Sequence, residues 1–310
     1  MTSSNKVVYA GIAANALAAV AKLAVAAITG STSMLAEGFH SVVDTGNTLL
    51  LLLGTSRSMR PADEDHPFGH GKELYFWSFV VAVSMFSVGG VLSIWEGVQH
   101  YRHPSPLEDP TWSYIILGVS TVINAASLIV AVKEIYQRKG QQGLVEYIGS
   151  SKDPTVVTVF LEDASDILGQ VIAFVAIFLS ARFHDSRFDA VGSIAIGLTI
   201  LAVSVVLANE SRGLLIGEGA SAHEVQRIKD RLINDPDVEH VGKLLTMQLG
   251  PNEILVNAEI DFHPQGSLEA LEETIERIER EVRQENPAVR HLYLEATSLQ
   301  KQKPSRQKNS

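Results

Sequence analysis

Through the first two hundred or so positions, apolar runs of about 20 residues alternate with short polar stretches. A helix needs that length to cross a hydrocarbon layer of about 30 Å. Spans are expected at roughly 7–29, 33–54, 75–98, 111–132, 155–181 and 188–209. After Ser211 the pattern changes, and the apolar periods become short. Positions 221–234 read as a helix, with Ser221 as N-cap and Glu224 three residues on in a capping box. Positions 241–249 and 254–262 read as strands joined by the turn signal Gly250-Pro251-Asn252. Positions 267–284 form an amphipathic helix capped by Ser267, with Glu269 in its first turn and Arg280 and Arg283 near its end, matching the macrodipole. A last strand is expected at 289–297.

The pattern predicts an α-helical polytopic membrane protein with six transmembrane helices over 1–212 and a C-terminal α+β domain over 213–299. The order αββαβ in that domain suggests a ferredoxin-like fold, with a small antiparallel sheet backed by two helices on one face. Positions 300–310 are polar and basic and are expected to be disordered.

Within the second run, Glu37, His40 and Asp44 interrupt the apolar pattern, and the last two are four apart, so on a helix they share a face. The fifth run repeats this with Glu162, Asp163 and Asp166, the first and last again four apart. Ionisable residues deep in a membrane span are costly and face a polar interior or a partner. If the two helices meet face to face, one imidazole and two or three carboxylates converge near the bilayer midplane, the donor set of a divalent-metal site. A polar pair can also serve as glue between helices; two pairs at the same spacing favour a metal. Asp163 lies about 100° round its helix from Glu162, so it faces the site, a neighbouring span or water. Glu37 lines the same face as His40 or pairs with a neighbour. Asn15, Asn47 and Asn124 read as interhelical hydrogen-bonding groups, with Asn47 also able to support Asp44, and Lys22 and Glu96 either snorkel or pair.

Composition narrows the chemistry. The 310 residues include no cysteine, so disulfides and thiolate ligands are excluded and any metal must be held by nitrogen and oxygen. The formal charge of −10 argues against a nucleic-acid partner. The first apolar run lacks a cleavage motif and reads as a span that stays. Lys6, Arg57, Arg60, Lys72, Lys133, Arg138, Lys139 and Lys152 fall on the side of the termini, and only Arg102, Arg182 and Arg187 on the other. The positive-inside rule then places both termini in the cytoplasm of a multi-pass protein in a cell or inner membrane.

Between the second and third spans, Asp63, His66 and His70 put two imidazoles four apart with a carboxylate three before. Such a trio can hold a Zn²⁺ with water completing the shell, or be a solvated turn set by Gly69 and Gly71.

The chain resembles the cation diffusion facilitators from about residue 8 to residue 299. The likeness is carried by Thr29-Gly30-Ser31, by Leu35-Ala36-Glu37-Gly38-Phe39-His40-Ser41-Val42-Val43-Asp44-Thr45, by Asp63-Glu64-Asp65-His66-Pro67-Phe68-Gly69-His70-Gly71-Lys72, and by Leu245-Thr246-Met247-Gln248-Leu249-Gly250-Pro251. The resemblance implies a secondary active transporter rather than an enzyme: a homodimer that moves Zn²⁺ out of the cytoplasm, with H⁺ as counter-ion. It implies a transport site of His40 and Asp44 with Asp166, which precedes Ile167-Leu168-Gly169. Glu162 stands where many members have His or Asp, and a Glu-Asp pair there looks like the branch that includes a mitochondrial-type zinc transporter of animals. Three carboxylates and one imidazole make a harder set than two of each, which leaves Mn²⁺, Fe²⁺, Co²⁺ and Cd²⁺ open as cargo. The resemblance also implies a second metal at Asp63, His66 and His70.

In the soluble domain, Gly242, Ala258, Tyr293 and Glu295 stand near the family's metal positions, and His240, His263 and His291 share no spacing, which reads as a dimerisation domain without a full binuclear site. Two other classes remain: a membrane protein that senses metal without moving it, and a membrane metalloenzyme. The second would need an arrangement such as His-Glu-x-x-His, which the sequence lacks.

Overall fold

The computed structural model describes residues 3–106, 108–139, 143–264 and 267–296. It falls into two compact units, Met1–Leu215 and Ile216–Ser310, each taken by itself. The first is helical: α1 Ser3–Thr29, α2 Thr32–Ser58, α3 Glu73–Ser84, α4 Leu92–Arg102, α5 Thr111–Arg138, α6 Leu144–Ser150, α7 Pro154–Phe183 and α8 Arg187–Ile216. Among the described residues four helical stretches are long and apolar enough to cross a membrane: Glu73–Arg102, Thr111–Gln137, Pro154–Phe183 and Arg187–Ile216. α1 offers the shorter apolar stretch Asn15–Thr29. α2 has 27 residues but carries Glu37, His40, Asp44 and Asn47, all buried, along its length.

Local signals explain the ends. Gly30 takes φ +70° in the turn between α1 and α2, a conformation that suits glycine. Ser31 caps α2 by accepting from the Met34 N–H at 3.1 Å, and Asp153 caps α7 ahead of Pro154 at its first position. Two features depart from the expected pattern. The third rod is not a plain α-helix, because Met85–Val91 between α3 and α4 is π-helical. Its Gly89 and Gly90 sit against Ile200 and Leu201 of α8, where a Cβ would approach to 3.0 and 2.5 Å. Also, α6 falls where no element was expected; its Tyr147 is buried and Ile148 packs on the core. That core runs through Met34, Val43, Val81, Leu117, Ile177 and Ile200.

The second unit has α9 Ala222–Ile233, β1 Val238–Gly250, β2 Glu253–Phe262, α10 Leu268–Glu285 and β3 Val289–Ala296. The capping box at Ser221 and Glu224 and the Ser267 cap are both formed. The sheet order is β1-β2-β3, and here an expectation is corrected. β1 and β2 are antiparallel, but β2 and β3 are parallel, so the sheet is mixed. The reason is the connection: a two-residue turn reverses the chain, whereas a helical crossover such as α10 returns it in the same direction. Ile228 and Leu232 of α9 and Ile278 and Val282 of α10 pack on Val256, Ala258, Ile260 and Leu292 of the sheet. Arg277 on α10 forks onto Asp235 at 2.7 and 2.8 Å and onto Asp237 at 2.8 Å. Thr297 and the tail at 300–310 lie outside the described residues.

Candidate metal centre

α2 and α7 meet along the faces that carry their acids. The His40 ring is fully buried between two carboxylates, with Nδ1 3.2 Å from Asp166 Oδ1 and Nε2 3.5 Å from Asp44 Oδ1. One ligand atom from each of the three lies within 4.8 Å of the others. Both ring nitrogens, Asp44 Oδ1 and Asp166 Oδ1 have no hydrogen-bond partner among the described residues. Buried polar atoms are normally satisfied. One imidazole nitrogen with Asp44 Oδ1 and Asp166 Oδ1 therefore makes a set of three unsatisfied donors that a cation could answer. Only one ring nitrogen can face a given ion, and Zn²⁺, whose tetrahedral bonds of about 2.0–2.1 Å set neighbouring donors about 3.3 Å apart, would draw the three donor atoms in from a spread of up to 4.8 Å.

The remaining expected residues stand just outside this trio. Glu162, one turn from Asp166, accepts from Asn47 Nδ2 at 2.7 Å. Asp163 faces α5 and accepts from Ser127 Oγ at 2.6 Å. Asn124 of α5 holds the second oxygen of Asp166 at 2.8 Å, and so orients it as supporting groups orient metal ligands. Asn47, which the sequence allied with Asp44, serves Glu162 instead. A cavity of about 240 Å³ opens beside the trio, with Asn15, Ser41, Asp44, Glu162, Asp163 and Asp166 in its wall. Its lining mixes these polar groups with Ala18, Ile123 and Val159, and its volume is ample for water.

Three buried charged residues emerge outside that trio, Lys22, Glu37 and Asp189. Lys22 of α1, 1% exposed, donates to Glu37 Oε2 at 2.9 Å and to Ser41 Oγ at 2.8 Å. A Cβ on Gly169 of α7 would meet Glu37 Oε1 at 2.4 Å, so glycine permits that approach. At the start of α8, fully buried Asp189 gathers the first turn of α2. Its carboxylate accepts from Ser31 Oγ at 2.9 Å, Thr32 N at 2.5 Å, Thr32 Oγ1 at 3.0 Å and Ser33 N at 3.3 Å. A carboxylate at a helix N-terminus meets both the free N–H groups and the positive end of the dipole. Lys22 and Glu37 are 15 residues apart on different helices, so only their charge within apolar runs was a signal. Asp189 gave none beyond its place at a helix start.

The loop between α2 and α3 brings Asp63, His66 and His70 together. Asp63 Oδ2 lies 2.9 Å from His70 Nε2, its Oδ1 lies 3.3 Å from His66 Nδ1, and Oδ1 also accepts from the His66 N–H at 2.7 Å. The rings stand 4.2 Å apart. The bond from His70, followed by that from the His66 backbone, holds the Asp63 carboxyl down at about 2. The carboxylate is thus ionised at any physiological pH and available to a cation. In the second unit, His240, His263 and His291 stand on β1, just after β2 and on β3. Among the described residues no group of three metal-ligating side chains forms there.

A model of the cation efflux transmembrane domain matches residues 8–216. The chain is 32% identical over 334 residues to the proton-coupled zinc antiporter SLC30A9, mitochondrial, of Xenopus laevis, covering 95% of this chain and 60% of that protein. It is 32% identical to metal tolerance protein C4 of Arabidopsis thaliana over 76% of this chain and 52% of the relative. It is 30% identical to the cation-efflux pump FieF of Escherichia coli O139:H28 over 73% and 71%. The chain spans about three fifths of the length of the curated vertebrate relatives it matches.

Proposed function

Since this chain belongs to the cation efflux family, we propose that it exports a divalent metal cation from the cytoplasm in exchange for protons, with Zn²⁺ as its cargo. The observation that carries this reading is the convergence of His40, Asp44 and Asp166, from α2 and α7, each with a buried ligand atom that has no hydrogen bond among the described residues. The zinc antiporters among its relatives support the choice of ion. Metal binds only deprotonated imidazole and carboxylate, so protons and metal compete for the same lone pairs. Protons arriving from the far side expel the ion, and no separate coupling device is required. His40, Asp44 and Asp166 take the ion, and Glu162 in the cavity wall takes part as it enters or leaves. Asp63, His66 and His70 form a second, loop site.

In the same reading, α1, α2, the α3–α4 rod, α5, α7 and α8 are six spans of a domain over 1–212. Both termini are cytoplasmic in a cell or inner membrane. The unit over 213–299 is a ferredoxin-like domain through which two copies dimerise. Mn²⁺, Fe²⁺, Co²⁺ or Cd²⁺ is the second choice of cargo, favoured by the oxygen-rich wall that Glu162 and Asp163 provide.

The test is metal-driven proton flux in vesicles holding the purified full-length chain, run with each of the five ions. Wild type is expected to acidify or alkalinise the lumen according to the zinc gradient, and Asp44→Ala to lose flux for every ion. No flux from wild type under any gradient would overturn the proposal.

A further inference from the structure

A fixed positive charge at the binding cavity of a cation carrier works against its cargo, because Coulomb repulsion with an arriving dication weakens binding. Yet Lys22 lies in the cavity wall together with Asp44 and Asp166. Joining α1 to α2 does not account for it. An apolar pair of the same volume holds two helices together as well or better, since a buried ion pair seldom outweighs the desolvation of its two charges. The pair is also incomplete: Glu37 Oε1 is buried with no hydrogen-bond partner among the described residues, like Asp44 Oδ1 and Asp166 Oδ1. Ser41, which shares the ammonium with Glu37, directly follows His40 and itself lines the cavity. One ammonium on a flexible four-carbon stem thus stands between two sets of carboxylate oxygens with unfilled acceptor capacity.

We propose that Lys22 is a tethered rival of the transported cation. Glu37 and Ser41 hold its ammonium aside while Asp44 and Asp166 are open to metal, and the ammonium swings onto those carboxylates as the metal departs. This rests on the transport reading above. It gives the emptied site a resident counter-charge for the carboxylate that has not yet taken its proton, in a low-dielectric interior where a bare anion is costly. It also opposes rebinding of the ion just released. Lysine suits the task because its compact charge rides on rotatable bonds, whereas a guanidinium would fork rigidly onto one carboxylate.

Zinc affinity by equilibrium dialysis on the full-length chain in lipid nanodiscs, with proton flux in vesicles, tests this. Lys22→Met is expected to tighten zinc binding roughly tenfold or more and to slow maximal flux. Glu37→Gln is expected to weaken binding by a comparable factor, because it frees the ammonium to sit on the site. Lys22→Gln should act in the same direction as Lys22→Met, should the latter not fold. The double variant Lys22→Met with Glu37→Gln should bind as tightly as Lys22→Met and remain slow. If both single variants weaken binding and the double variant recovers wild-type flux, the pair only packs helices and the inference falls. If wild type transports but Lys22→Met binds zinc unchanged, this inference alone falls. A wild type that neither binds zinc nor moves protons overturns the transport reading instead.

Discussion

At Glu162 the side chain is aligned with Asp166 on α7 but spends its Oε1 on Asn47. Replacing it with histidine puts a softer nitrogen donor at the cavity wall and removes one anionic oxygen. Glu162→His is expected to shift ion preference toward Zn²⁺ and Cd²⁺ and away from Mn²⁺, read as the order of proton-flux rates across the five ions; an unchanged order would show that Glu162 never touches the ion. This residue also marks how far the site was legible. Four-residue spacing singled out His40 with Asp44 and Glu162 with Asp166, and the structure brings three of the four within reach of one ion. Spacing could not reveal that Asn47, on the opposite helix, takes Glu162, since that depends on how α2 and α7 are registered. The same holds for Asn124 on Asp166 and Ser127 on Asp163.

Among the elements, α2 depends most on a distant residue. Its first turn offers N–H groups without helical partners, and Asp189 of α8 accepts from two of them and from two hydroxyls. Asp189→Ala leaves those donors buried and unanswered, at a cost of about 3 kcal/mol. The expected result is a lower thermal midpoint for the purified chain, together with weaker zinc binding as α2 loosens around His40. An unshifted midpoint would mean that water or a neighbouring group replaces the carboxylate. Helix existence was readable from apolar runs because membrane helices satisfy their backbone internally. The π-helical Met85–Val91 was not readable, because the apolar run continues through it unchanged, and its glycines' packing against α8 depends on a helix more than 90 residues away. Strand positions in the second unit were also readable, from alternation and the Gly250-Pro251-Asn252 turn. The direction of β3 required noticing that a helix, not a turn, precedes it.

For the molecule as a whole, acid sensitivity belongs to the second unit. Burial alone would push the Asp235 carboxyl up, but the bonds from Arg277 and the Asp237 N–H outweigh it and hold it below the usual carboxylate range. A carboxyl lowered by folding stabilises the fold above its unfolded value, near about 3.9, and that contribution fades as pH falls toward the folded value. The second unit is therefore expected to hold its amide protection above about pH 4 and to lose this one contribution to it progressively below, followed by hydrogen exchange on the full-length chain. Arg277→Ala should cost about 3 kcal/mol at neutral pH, and an acid profile identical to wild type in that variant would remove Asp235 from the account. Hydropathy changes abruptly after Ser211, a few residues before the break between the two compact units at Leu215 and Ile216. The network that steadies the smaller one was not legible, because Asp235 and Arg277 are 42 residues apart. The fastening of α2 has a mechanical outcome. One end is lashed to α8 by Asp189, and near the other Gly54 lies against Trp77, over whose ring Arg57 rests at 5.6 Å. A spar moored at bow and stern cannot travel along its own axis. Under the transport reading proposed above, sliding of α2 past α8 and α3 would break both moorings, whereas tilting or turning of α7 against it would break neither.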